Sequence, residues 1–197
     1  MGFKLISFKN IFFDLKIEYK VKIIHFSDNE SIEELTNLLH ASYKRLADMG
    51  LKFVATYQTT EYTKSFIKNG ECFIIKDEAQ EESIENKIIA TVMYYNSVFH
   101  EEDIDPEWYK NDFVAYFGKF AVHPDYQCKG IGGMMMDYLE EYAKSKGKTE
   151  LALDTSEKAL HLIEYYKKRG YRFIQHHQWN VTNYRSVIMS KKLSNNT

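Results

Sequence analysis

Only two cysteines, Cys72 and Cys128, occur in the 197 residues, and no pairing pattern connects them, as expected of a chain kept in a reducing compartment. Charge of one sign is lacking too: 26 Lys and Arg against 28 Asp and Glu leave a formal net charge of -2. That balance gives no global attraction to nucleic acid, an anionic membrane or another polyanion. Apolar runs long enough to span a bilayer are absent. The first residues, Met1 to Ile6, do not form a signal peptide, because the apolar run is cut by Lys9 and Asn10 and has no small-residue cleavage site. Ile6 stands where a myristoylated chain requires Ser or Thr. A cytoplasmic location is the expectation.

What is present is the composition of a globular protein, 44% hydrophobic and 27% charged, in a length that suits a single domain over residues 1–197. Ile17 to Ile24 alternates as a half-buried strand does. Ser31 and Glu34 read as a capping box, Ser31 as N-cap and Glu34 reaching back, for a helix that Gly50 ends. A second helix is expected over Thr60 to Asn69, then strands over Cys72 to Lys76 and Lys87 to Tyr95, joined by an acidic connection over Asp77 to Ser83. An acidic stretch, Glu101 to Glu107, precedes a strand over Phe113 to Val122. A helix over Gly133 to Lys146, a short strand over Leu151 to Leu153, a helix over Ala159 to Arg169 and strands over Tyr171 to Gln178 and Tyr184 to Leu193 follow. The core is thus expected over about residues 17–193, an α/β arrangement without repeats.

The densest signal is Tyr126-Gln127-Cys128-Lys129-Gly130-Ile131-Gly132-Gly133, set between a strand and a helix. A glycine loop in that place aims several backbone N–H groups and the positive end of a helix dipole at one point, which binds phosphate. The spacing is not a Walker loop, which needs Gly-x-x-x-x-Gly-Lys and then Ser or Thr. It is not a dinucleotide fingerprint either, because it comes late in the chain with the wrong glycine spacing.

Gln127-x-x-Gly130-x-Gly132, preceded by Phe120-Ala121-Val122-His123-Pro124, resembles the acetyl-coenzyme A motif of the GNAT N-acetyltransferases. Tyr166-Lys167-Lys168-Arg169-Gly170-Tyr171 resembles the later helix end of the same family, and the element order agrees across nearly the whole chain. Leu153 to Ser156 with Asn183 to Ser186 further resembles a bacterial branch of mostly unassigned substrate. The resemblance implies a mixed, mostly antiparallel sheet with a splayed central strand pair and helices on both faces. It implies acetyl-CoA as co-substrate, no metal, and a small-molecule or peptide amine as acceptor, and it leaves a homodimer open.

The residues follow from the same likeness. Gln127, Cys128, Lys129, Gly130, Ile131, Gly132 and Gly133 would hold the pyrophosphate. Phe120, Ala121 and Val122 would line the pantetheine arm, with the Val122 N–H polarising the thioester carbonyl. Tyr166 is the implied general acid for the thiolate; Ala159, Leu162, Ile163 and Tyr166 share one helical stripe, so Tyr166 faces the sheet and Tyr165 turns away. Lys129 reads equally as a phosphate partner or a solvated lysine. Two positions depart from the family: Ala159 stands where many members have Asn, with Ser156 or Thr155 as substitutes, and Tyr116 stands where some carry a Glu base. The base is unassigned, with a water chain ending at a backbone carbonyl or at His123 as one route.

Weaker signals have plainer readings. His176 and His177 alternate faces and cannot bind a metal alone. Met134, Met135 and Met136 fill the core. Cys128 lacks the His spacing of a covalent acyl carrier. The leading activity is acetyl transfer to a primary amine, with the acidic stretch before the cofactor strand attracting a cationic acceptor. The alternative is an acyl-CoA-binding regulatory module without catalysis; an acetylating toxin aimed at RNA is disfavoured by the charge.

Overall fold

The computed structural model of the protein describes residues 21–77, 87–96 and 106–194. The chain runs β1 (Ile23–His25), α1 (Ile32–Asp48), α2 (Thr60–Asn69), β2 (Glu71–Lys76), β3 (Ile88–Tyr95), β4 (Val114–Val122), α3 (Ile131–Ser145), β5 (Glu150–Ser156), α4 (Leu160–Lys168), β6 (Arg172–His177) and β7 (Ser186–Lys192). The order of element types is the one expected. Residues 17–20, most of the acidic connection and residues 101–105 of the acidic stretch lie outside the described residues.

The boundaries differ where local chemistry misled. β5 extends three residues past Leu153, because Asp154, Thr155 and Ser156 pair with Ile188, Val187 and Ser186 of β7 despite their polarity. α3 starts at Ile131, two residues before the expected start, and Ala159 is the N-cap of α4 instead of its first residue. Ser31 does cap α1, its Oγ accepting from the Glu34 N–H at 3.1 Å. The Glu34 carboxylate, however, does not turn back. Its Oε1 accepts the Ile88 N–H at 2.6 Å, beside the irregularity where β2 and β3 shift register, so the charge serves a backbone donor of β3. Gly70 ends α2 for a steric reason. Its backbone is extended, and a β-carbon there would fall 2.7 Å from the Tyr94 carbonyl oxygen.

The seven strands lie in the order β1-β2-β3-β4-β5-β7-β6, all neighbours antiparallel except β4 and β5. α1 and α2 cover one face, where Leu35, Leu38, Leu39 and Phe66 pack on Cys72, Ile74, Ile88, Met93 and Ala121. α3 and α4 cover the other, where Met135, Met136, Leu139 and Tyr166 pack on Phe73, Tyr94, Phe117 and Leu153. Full burial of a Leu or Met side chain contributes about 1.5–3 kcal/mol, so the helical stripes hold both layers in place. Met135 and Met136 are fully buried, as their core reading requires.

Candidate active site

The parallel pairing of β4 with β5 runs from Val114 opposite Glu150 to Phe117 opposite Leu153 and then stops, although both strands continue. A bulge causes the parting. Between Thr91 and Met93 of β3, β4 spends an extra residue, and Lys119 takes a φ of +50° that L-residues adopt only at a cost of about 1–2 kcal/mol. Beyond it the strands splay and open a gap.

Backbone alternation decides which residues face that gap. His123 N–H donates to the Ile89 carbonyl at 2.8 Å, and Val122 lies opposite Ala90, so Ala121 turns its backbone groups to β3 while Phe120 and Val122 turn theirs toward β5. The gap-facing carbonyls are met by side chains. Val122 O accepts from Ser42 Oγ at 3.1 Å and Gln127 Nε2 at 3.0 Å, and Phe120 O accepts from the Tyr43 hydroxyl at 3.2 Å. Ala121 is also buried against the α1 and α2 layer, so of the three strand residues expected to line a cofactor, Phe120 and Val122 face the gap and Ala121 does not.

At the end of β4 a 3₁₀ turn over Pro124–Tyr126 leads into the glycine loop. Cys128, exposed, and Gly130 have φ of +59° and +85° and swing the chain into α3. The first bond of that helix runs from the Met134 N–H to the Gly130 carbonyl, and Gly130 at the N-cap has no side chain to cap the end. The N–H groups of Ile131, Gly132 and Gly133 therefore point out of the helix, where its dipole is positive. Ile131 anchors the turn, its side chain buried. Lys129 is exposed, its ammonium 5.1 Å from the Tyr126 ring centre. A β-carbon at Gly132 would meet only ordinary contacts, the nearest 3.4 Å from Phe120 Cζ, and at Gly133 nothing nearer than Arg169 at 3.8 Å. The fold itself does not demand glycine at either position, which is what a surface kept bare for a phosphate requires.

Behind the gap, Tyr166 projects from α4 into a cavity of about 470 Å³ bounded by the bulge of β4, the end of β5, α2 and the chain between β6 and β7. The phenol is 7% exposed, and among the described residues its hydroxyl has no hydrogen-bond partner. Burial, then Tyr43, Tyr165 and the Asp154 charge, hold its pKa well above 10, so it keeps its proton. Tyr165 is half-buried and leans toward the glycine loop.

The description of the acetyltransferase (GNAT) family matches residues 32–171. The chain is a GNAT acetyltransferase. It is 26% identical over 144 residues to the S-(2-succino)cysteine N-acetyltransferase of Bacillus subtilis (strain 168), covering 71% of this chain and 77% of that protein. Among solved structures it is similar to a GNAT family acetyltransferase from Elizabethkingia anophelis with acetyl-CoA bound, at 18% identity and a TM-score of 0.58 over 88% of this chain and 98% of that one. The ribosomal-protein-S18-alanine N-acetyltransferase of Escherichia coli aligns with a TM-score of 0.63 at 14% identity, over 90% and 96% of the two chains. The fold and the acyltransferase class expected from the sequence are thereby shown.

Other GNAT positions have clear local roles. Ser156 is fully buried and its Oγ accepts the Lys158 N–H at 3.2 Å, closing the turn after β5. Thr155, on the same face of β5 as Leu153, keeps a buried Oγ1 without a hydrogen-bond partner among the described residues. Ala159 is buried against Leu46, Leu51 and Tyr184, a packed site with no demand for an amide. Tyr116 stacks between Tyr109 and Tyr95, with ring centres 4.4 and 4.8 Å away, and forms cavity wall. His123 contacts Lys87 at 3.1 Å outside the cavity, and His177 packs on Trp179. Sequence reasoning missed Ser42, Tyr43, Lys119 and Arg169. The first three belong to a helix stripe or a bulge that no motif marks, whereas Arg169, paired with Asp137 at 2.5 Å beside Gly133, sat inside the Tyr166-to-Tyr171 frame.

Proposed function

We propose that this GNAT domain, read as one unit over the chain, transfers the acetyl group of acetyl-CoA directly to a primary amine, with Tyr166 as general acid. The observation that carries the reading is a buried, proton-retaining phenol without a hydrogen-bond partner among the described residues, facing the cavity behind the splayed strands. When bound, acetyl-CoA supplies an activated thioester. Ile131, Gly132 and Gly133 N–H groups, with Gln127 and Lys129 alongside, hold its pyrophosphate, and the edge of β4 at Phe120 and Val122 receives the pantetheine arm. Ser42, Tyr43 and Gln127, which now cap those carbonyls, give way or share them. In the transfer a nitrogen–carbon bond forms and the carbon–sulfur bond breaks. Tyr166 protonates the thiolate, and the proton released by the nitrogen restores the phenol.

A small-molecule amine is the favoured acceptor, because the cavity of about 470 Å³ is of small-ligand size and the Bacillus relative is named for a cysteine derivative. The test is thiol release with acetyl-CoA and an amine panel, comparing wild type with Tyr166→Phe. Turnover that falls about 10²-fold or more in the variant supports the reading. Acetyl-CoA binding without turnover in either protein would favour a regulatory module.

A further inference from the structure

Two charged side chains that no hydrogen-bonded ion pair absorbs face this one cavity. Lys119 stands on the bulge of β4, its backbone held in the left-handed region, so the departure that splays the strands also aims this side chain inward. Its ammonium lies over the rings of Tyr62 and Phe66, 5.4 and 5.6 Å from their centres, and forms no ion pair or hydrogen bond among the described residues. Asp154 comes from β5, at the first position after the pairing with β4 ends. Its Oδ2 accepts from Ser186 Oγ at 2.9 Å and from Trp179 Nε1 at 3.1 Å, which fixes the carboxylate; its Oδ1 accepts nothing among the described residues.

The two charges sense one another without touching. Burial lowers the Lys119 pKa to about 8, against the opposing pull of Asp154. Burial raises that of Asp154, while Ser186, Trp179 and Lys119 oppose the rise. Burial first and the Asp154 charge second raise the phenols of Tyr43 and Tyr184. Asp154 is thus the negative centre of the chamber and Lys119 its positive wall, both partly accessible from the cavity between them. Isolated buried charges are costly, and a ligand bearing both signs is the partner that satisfies each.

We propose that the acceptor is an amine that also carries a carboxylate, of the α-amino acid class, its carboxylate met by the Lys119 ammonium and its amine by Asp154 Oδ1. This rests on the acetyl-transfer reading above and narrows its acceptor. The aromatic rings that bound the cavity suit an apolar side chain.

The experiment compares each protein amino acid with its methyl ester and its decarboxylated amine, for wild type, Lys119→Met and Asp154→Asn, reading thiol release and ligand-induced thermal shift. Wild type should turn over at least one free amino acid 30- to 100-fold more efficiently than its ester, about 2–3 kcal/mol at 1.4 kcal/mol per decade. Lys119→Met should raise KM for the acid and leave the ester's KM in place, erasing the preference, while Asp154→Asn should weaken both. Turnover with no preference for the carboxylate, or an equal loss for acid and ester in Lys119→Met, would overturn the proposal and leave acetyl transfer standing. If no amine is turned over, amino acids that raise the wild-type melting temperature but not that of Lys119→Met would uphold the clamp against the transfer reading. No shift in either would sink the clamp.

Discussion

Gly132→Ala separates what the fold needs from what the cofactor needs. The added methyl would lie 3.4 Å from Phe120 Cζ, 3.6 Å from Val122 Cγ2 and 3.7 Å from the Tyr165 hydroxyl, all ordinary contacts. Gly132 lies outside the left-handed region, and Ala is favoured over Gly in a helix by about 0.5–1 kcal/mol. Folding should therefore be unharmed or gain by that amount, a rise of ~1–4 °C in Tm for a chain of this length. The ligand experiences the opposite. The methyl points across the mouth of the gap at Phe120 and Val122, where it would hold a phosphate and the pantetheine start away from the helix N–H groups. Losing one or two charge-assisted hydrogen bonds at about 1.5–3 kcal/mol each should raise KM for acetyl-CoA roughly tenfold to several hundredfold. Scanning fluorimetry of the free protein and thiol-release kinetics with varied acetyl-CoA read the two effects separately. A Tm drop of ~5 °C or more would show that the fold needs this glycine, and an unchanged KM would move the phosphate elsewhere.

Three further outcomes are expected. Tyr166→Phe should keep its Tm, because the hydroxyl has no partner among the described residues, yet lose about 10²-fold or more in kcat; wild-type kcat should show no falling alkaline limb from this phenol up to pH 10, since its pKa lies well above that value. Lys119→Met should stabilise the protein at pH 7 by ~1–3 kcal/mol. With the Lys119 pKa lowered to about 8 in the folded state, holding the ammonium costs stability below pH 8, and the cost fades as pH rises toward the unfolded value of 10.5, so the variant's advantage should shrink over that window in urea titrations. Arg172→Met should destabilise by about 2–4 kcal/mol, since it strips a bidentate partner at 2.8 and 2.9 Å from Glu150, which is 4% exposed; an unchanged urea midpoint would show that Ser190 alone satisfies the carboxylate.

The sequence by itself determined the elements and the glycine loop, because both are local. Helix stripes such as Leu35, Leu38 and Leu39 need only the 3.6-residue period, and the turn from Gln127 to Gly133 is marked by glycines close together in the chain. Tyr166 was legible for the same reason, since one stripe on α4 fixes its direction. The ends of β5 were not legible, because Asp154 to Ser156 look like loop until β7 supplies their partners. The tertiary structure alone decided the cavity. Lys119 reads as a surface lysine until a bulge turns it inward, and Asp154 as a turn residue until the strands part beside it. Ser42 and Tyr43 look like ordinary positions of α1 until the helix lies across the open edge of β4. A motif is written along the chain, but a cavity is formed by residues far apart in sequence, and the two charges that face it acquire their meaning only from each other's position.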